Sequence, residues 1–390
     1  MKTDYEYIVL GCGGIGSATA YWLSRRKSKD VLGIEQFEHG HHHGGSQDHS
    51  RIIRLTYYYP QYIRLAPDSY TAWHTLEEES GVQMVFKTGS VQFSPVDHPY
   101  RYEIDKYTGA MDETGVPYDR VDADEIAKRF PQFHLKYEVD GIYQADTGLV
   151  DASRGNATHV AMARYCGATM LDNCEATHIR PTNTGVTIET KQGNFSCRKL
   201  IVTAGAWTDR LLASVNVNLS LTVTQEQVTY YATPNLPDFA IGKFPIFISH
   251  ADESIYGFPI YGEVATKVGI DASGPAVTTD TRTYDPDAER ERYQEAWLKE
   301  NIPEFLGPKL YTKTCLYTMP KDRHFVIDTL PEHPQIIVCV GAGHAYKFSG
   351  ILGKILSELA IDGHTDYPIE PFALQRDAIT DPNFKPVFRM

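Results

Sequence analysis

A short apolar run, Ile8-Val9-Leu10, leads straight into Gly11-Cys12-Gly13-Gly14-Ile15-Gly16, and a helical pattern follows over 16–26. A second apolar run, Val31-Leu32-Gly33-Ile34, ends on Glu35, nineteen residues after the last glycine. Strand, glycine turn, helix and acid in this register form a dinucleotide site. Gly11 permits the tight turn, Gly13 lets backbone N–H groups approach a pyrophosphate, and Gly16 lets helix and strand pack closely. The helix N-terminus favours phosphate charge, and Glu35 is placed to accept from a ribose hydroxyl. The pattern leaves open whether the nucleotide carries a nicotinamide or a flavin.

A chain of 390 residues buries a large core and suggests two or three domains. Its net charge of −13 argues against a nucleic-acid surface and is read as solubility. No apolar run approaches the ~18–20 residues that span a bilayer. The first strand begins too early to leave room for a signal peptide. The closing Val387-Phe388-Arg389-Met390 is not a peroxisomal address of the Ser-Lys-Leu type. Six scattered cysteines without a CxxC pair argue against zinc and disulfides and fit a reducing, cytoplasmic compartment. His39, His41, His42, His43 and His49 crowd one polar loop, but neighbouring histidines on a loop rarely face one ion, so no metal is expected.

After that loop, Arg51 and Arg54 are expected on one side of a helical turn. Helices are predicted over 122–130, 153–165 and 285–301, and strands over 175–180, 186–189 and 199–203. The third of these strands meets Ala204-Gly205-Ala206-Trp207, where small residues allow close backbone approach. Residues 221–315 are β-rich, with strands over 222–231, 255–260 and 266–270. Strands over 325–327 and 336–340 then lead into Gly341-Ala342-Gly343-His344-Ala345-Tyr346-Lys347 and a helix over 349–361, stopped by Gly363. The predicted fold class is α/β, or α+β in two domains: a discontinuous Rossmann-like nucleotide-binding domain (1–85, 146–220 and 318–390) with a β-sheet-rich substrate domain (86–145 and 221–317).

Together these segments resemble the monomeric sarcosine oxidase family of FAD amine oxidases, which includes N-methyltryptophan oxidase and L-pipecolate oxidase. The resemblance covers essentially the whole chain. It rests on Gly11–Gly16 with Glu35, Ser50-Arg51-Ile52-Ile53-Arg54, Thr203-Ala204-Gly205-Ala206-Trp207, Tyr256-Gly257-Phe258-Pro259 with Lys267, Cys315-Leu316-Tyr317-Thr318 with Asp322 and 325–328, and Gly343-His344-Ala345-Tyr346-Lys347-Phe348. It implies FAD, attached covalently through a thioether at Cys315. It also implies that Lys267 promotes reaction of reduced flavin with oxygen, that Arg51 lies near the flavin ring, and that Arg54 and Lys347 bind a substrate carboxylate. Tyr256 and Tyr317 match pocket tyrosines, and His344 matches a turn beside the flavin. Gly11, Gly13, Gly14, Ile15, Gly16, Glu35, Ser50, Thr177, Ala204, Gly205, Trp207, Gly343 and Lys347 complete the expected cofactor contacts.

The chain also departs from the family pattern. Ser46-Gln47-Asp48-His49-Ser50 replaces adjacent histidines before the first arginine. Asp271 replaces a histidine near the substrate, an acid expected to lower the positive potential and favour a larger or more cationic amine. Ala345 and Tyr346 replace Gly and Phe, adding a methyl and a hydroxyl near the pocket. The implied reaction oxidises a secondary amine carrying a carboxylate, an N-methyl or cyclic amino acid, with O2 as acceptor, in a monomer that touches neither nucleic acid nor membrane. Open alternatives are a pipecolate-type or Amadori-amine oxidase, a flavin dehydrogenase that avoids O2, an NAD-dependent dehydrogenase, and a non-catalytic flavin protein.

Overall fold

The computed structural model describes residues 2–387; Met1 and residues 388–390, which hold most of the C-terminal tetrapeptide considered above, lie outside them. Ile8-Val9-Leu10 forms the buried end of the strand Asp4–Leu10, which pairs in parallel with Gly193–Val202 on one side and Val31–Ile34 on the other. A parallel strand covered on both faces reads as an unbroken apolar run. Tyr7 and Val9 accordingly enter one core and Ile8 and Leu10 another. Among the described residues this sheet has eight strands, with Thr169–Leu171 beyond Val31–Ile34 and the antiparallel pair Val186–Thr190 and Ala176–Pro181 on the far side.

The long strand Gly193–Val202 is forked. Its first half pairs antiparallel with Val186–Thr190, and Leu200 to Val202 pair in parallel with Ile336 to Val338 of the strand His333–Val340. The last third of the chain thereby joins the sheet that holds its first strand. The helices Gly14–Lys27, Ala152–Tyr165 and Ser349–Ile361 pack together in this half of the molecule. At the closest crossing, a Cβ on Gly353 would stand 2.6 Å from the backbone of Ala18.

A nine-stranded sheet carries the other half. Ile255, Val268 and Ile270 point into an aromatic core with Phe93, Phe133, Phe244, Phe247 and Phe305. Side chains alternate across a strand, so Ser254, Tyr256 and Phe258 from Ser254–Phe258, with Lys267 from Thr266–Ile270, take the opposite face. Asp271 follows on that face just past the strand end.

A three-stranded sheet, Arg51–Ile53, Gly148–Val150 and Val85–Lys87, corrects one expectation. The arginine segment is extended, not a helical turn, because Arg51 and Ile53 are held in backbone pairing with Val150 and Gly148. The helix Pro60–Ser80 was not anticipated. Its buried residues Tyr62, Leu65, Ala66, Ser69, Ala72, Trp73 and Leu76 keep helical spacing. Elsewhere the local signals located elements well: Thr222–Tyr231, Thr266–Ile270 and Ser349–Ile361 have the expected bounds. The short helix Ala123–Arg129 is capped by Asp122, whose carboxylate accepts from the Glu125 N–H. Among the described residues no helix is long and apolar enough to cross a membrane.

Candidate active site

A cavity of about 930 Å³ extends from the glycine turn to the inner face of the nine-stranded sheet. At its first end Gly11 has φ +90°, and a Cβ there would stand 2.8 Å from Ala204 Cα. Gly13, Gly14 and Ile15 line the cavity, and the Gly14 N–H donates to Ser46 Oγ at 2.9 Å. Gly16 lies behind it, where a Cβ would come within 1.8 Å of the Gly11 carbonyl oxygen, so its role is helix–strand packing. Glu35 is buried and accepts from the N–H groups of Cys12 (2.9 Å) and Phe37 (3.1 Å). Burial alone would raise its pKa; the contact with His41 at 3.4 Å and the two backbone donors outweigh this and lower it. Thr177, Ala204, Gly205 and Trp207 form the facing wall.

The histidine loop folds beside this end. His43 Nδ1 lies 2.6 Å from the Tyr284 hydroxyl, and His49 pairs with Glu263 at 3.3 Å. Among the described residues no group of three or more His, Cys, Asp or Glu is arranged to hold a metal ion. A helix start, a cradle closed to any Cβ and a buried, ionised acid together fit a dinucleotide, with Gly13 and Gly14 toward its phosphates and Glu35 toward its ribose.

At the other end Arg54 and Lys347 both line the cavity. Arg54 lies over the rings of Tyr57 (5.0 Å) and Tyr107 (5.6 Å), and its Nη1 makes one long hydrogen bond, 3.4 Å, to Gln92 Oε1. Its buried Nε has no hydrogen-bond partner among the described residues. Lys347 is 9% exposed, and burial, with Arg54 next in weight, pulls its pKa well below the usual lysine value. Among the described residues neither cation has a carboxylate within 4 Å. The unanticipated helix positions this lysine: Trp73 Nε1 donates to the Lys347 carbonyl at 2.8 Å, and Ser69 Oγ donates to the same oxygen.

Lys267 is 3% exposed, with its Nζ 4.6 Å from the centre of the Phe258 ring. It donates to the Ser50 carbonyl (2.8 Å) and Oγ (3.2 Å) and pairs with Asp48 at 2.6 Å. Burial drives its pKa down to about 8, Asp48 opposing and Arg51 assisting. Arg51 reaches Asp48 at 3.2 Å and donates to the carbonyls of Ser50, Gly45 and Gln47. Cys315 lines the same wall; burial pushes its thiol up to about 11 against the pull of Arg51.

Tyr256 and Tyr317 also line the cavity. Tyr317 OH lies 3.4 Å from Asp271 Oδ1, and Gly343 packs against its ring. Asp271 is paired with Arg323, whose Nη2 lies 2.9 Å from both its oxygens. His344 Nε2 donates to the Arg323 carbonyl at 3.1 Å, and burial keeps its pKa well below the usual histidine range. The added hydroxyl of Tyr346 is turned into the protein, where it donates to the Ala152 carbonyl at 2.6 Å.

Sequence reasoning did not single out Tyr57, Tyr107, Arg323, or His250, which lines the cavity with its Nδ1 2.7 Å from the buried Glu103 Oε2. Asp48 was visible only as a departure from a familiar pattern.

Known proteins of similar sequence and fold identify the family. A monomeric sarcosine oxidase from Bacillus sp. (strain B-0618) is 30% identical over 386 residues, 98% of each chain. An N-methyl-L-tryptophan oxidase from Escherichia coli O17:K52:H18 (strain UMN026 / ExPEC) is 28% identical, covering 95% of this chain and 99% of its own. The structure of NikD, an amino acid oxidase of nikkomycin biosynthesis in its open form, superposes with a TM-score of 0.85 at 25% identity, over 95% of this chain and 98% of NikD. The profile of the family described as DAO, FAD dependent oxidoreductase, matches residues 6–359. The chain belongs to this family of FAD-dependent oxidoreductases.

Proposed function

We propose that the protein oxidises secondary amines that carry a carboxylate, N-methyl or cyclic amino acids, with O2 as the acceptor. The supporting observation is the pair Arg54 and Lys347: two cations, the first half-buried and the second buried, open on one cavity with no carboxylate partner among the described residues. An arginine fork and a lysine point charge suit a carboxylate in a partly dry pocket. Holding that carboxylate fixes the amine between Tyr256, Tyr317 and the flavin end of the cavity, which is orientation rather than acid–base catalysis. A flavin held by the glycine turn, Glu35 and the Cys315 wall would supply the redox chemistry, as the acceptor of a hydride from a carbon beside the amine nitrogen. The resulting imine hydrolyses, releasing formaldehyde if the carbon was an N-methyl.

No protein base is assigned. His344 is neutral and turned to a backbone carbonyl, and Asp271 is held by Arg323. The rings of Tyr57 and Tyr107 lie 5.0 and 5.6 Å from the Arg54 guanidinium and hold it in place. Lys267 and Arg51 supply positive charge at the flavin end, Lys267 toward oxygen. The Cys315 sulfur is the attachment point for a thioether to the flavin. On this reading the eight-stranded sheet is the core of the cofactor unit (1–85, 146–220 and 318–390). The nine-stranded sheet is the core of the substrate unit (86–145 and 221–317).

The test is anaerobic mixing of the yellow protein with a panel of N-methyl, cyclic and primary amino acids, alongside the same amines lacking the carboxylate. Bleaching by secondary amino acids only, with peroxide on readmitting air, is expected; no bleaching by any of them sinks the reading. Acid precipitation addresses the linkage: colour stays with the pellet if Cys315 holds the flavin, and moves to the supernatant in Cys315→Ser.

A further inference from the structure

The segment 46–50 places an acid against the lysine assigned to oxygen. The Asp48 side chain is 3% exposed. Its Oδ2 lies 2.6 Å from Lys267 Nζ and 3.2 Å from Arg51 Nη1. Its Oδ1 accepts from the Tyr230 hydroxyl at 2.6 Å, with Lys313 Nζ at 3.9 Å. The Asp48 carbonyl accepts from both the N–H (2.9 Å) and Oγ (2.8 Å) of Ser153, which ties the residue to the start of the helix Ala152–Tyr165. Among the described residues Asp48 is the only carboxylate within 4 Å of either Lys267 or Arg51.

A buried ammonium beside a guanidinium loses its proton unless an anion is held against it. Each group around Lys267 can be named. Phe258 and Tyr230 flank it across the sheet; Asp48 and Ser50 come from the histidine loop and Arg51 from the start of the strand Arg51–Ile53; Cys315 and Lys313 come from the strand Lys309–Met319. Of these, Arg51 and Lys313 are cationic, and only Asp48 is anionic. We propose that Asp48 is a positioning residue that keeps Lys267 in its ammonium form and fixes it at the cavity wall, so that this acid sets how fast the reduced enzyme reacts with oxygen. The proposal rests on the reading of Lys267 as the oxygen-directed cation. In the step concerned, two electrons and one proton pass from the anionic reduced flavin to O2, a second proton comes from solvent, and H2O2 leaves. The first electron makes superoxide, and an ammonium stabilises it where an amine does not.

The test compares Asp48→Asn, Lys267→Gln, the double variant and the wild-type holoenzyme. Each is reduced with dithionite, so that no substrate is needed, and then mixed with O2. A second readout, independent of turnover, is the dissociation constant for sulfite, whose flavin complex is anionic and favoured by a nearby cation. Asp48→Asn is expected to slow reoxidation about tenfold near pH 8, to weaken sulfite binding by about the same factor, and to recover toward wild type as pH falls, since one unit of pKa is tenfold in charged fraction. The double variant is expected to be no slower than Lys267→Gln alone. Asp48→Ser, smaller and also neutral, makes the same test if the Asn variant does not retain flavin. Reoxidation and sulfite affinity equal to or greater than wild type in the neutral variants overturn the proposal, because Asp48 then quenches the cation instead of holding it. Unchanged reoxidation in Lys267→Gln overturns the lysine reading itself.

Discussion

Arg54 is held by aromatic rings and one long hydrogen bond, so its charge is satisfied by whatever enters the cavity. Arg54→Met is expected to raise KM for a carboxylate-bearing amine about a hundredfold with little change in kcat, roughly 3 kcal/mol of lost binding. The KM of the same amine without its carboxylate is expected to stay put. Lys347 adds a pH dependence of known sign. Its pKa is depressed, so its charge is present below that value and lost as pH rises through it. Affinity for a carboxylate inhibitor that carries no amine is therefore expected to weaken with rising pH in the wild type and to be flat in Lys347→Met. These two residues, with Lys267 and Cys315, were legible because each sits in a short motif. The partnership of Asp48 with Lys267 was not, because the arrangement of the loop against the nine-stranded sheet brings the two together. The pairing of Asp271 with Arg323 was hidden for the same reason, since no local spacing links the two.

At the scale of elements, local signals were strong enough to fix the type of the helix after the glycine turn, expected over 16–26 and found as Gly14–Lys27, and both type and bounds of Ser349–Ile361. The helix Pro60–Ser80 escaped because Pro67 lies within it and reads as a break, although its apolar spacing is helical on either side. That helix matters to the site through Trp73 and Ser69, both donating to the Lys347 carbonyl. Trp73→Phe keeps the ring but removes the donor. It is expected to cost about 1 kcal/mol in a urea titration and to raise KM for the carboxylate substrate as Lys347 loosens. The crossing at Gly353 makes the opposite prediction. Gly353→Ala pushes a methyl against the Ala18 backbone and is expected to destabilise by about 1–3 kcal/mol, with flavin content and KM unchanged.

Across the whole molecule, the cavity is walled by both large sheets, so cofactor and fold are thermodynamically linked. A flavin present at a thousand times its dissociation constant adds roughly 4 kcal/mol to stability. Flavin-depleted Cys315→Ser protein is therefore expected to unfold at a lower temperature than the same protein with added FAD, and calorimetry reads the difference directly. The forked strand Gly193–Val202 has a consequence for how the molecule is made. Asp4–Leu10 leaves the ribosome first, yet its main partner comes only at Ser196 to Val202, and the wall closes only when His333–Val340 and the Gly341–Lys347 turn have been synthesised. At roughly 5–20 residues per second the earliest strand waits many seconds with one edge open, since Val31–Ile34 covers only the other. Newly made chains therefore pass through an aggregation-prone interval that a chaperone can cover and that FAD cannot shorten, because the Gly341–Lys347 wall of its cavity is made more than three hundred residues after the glycine turn.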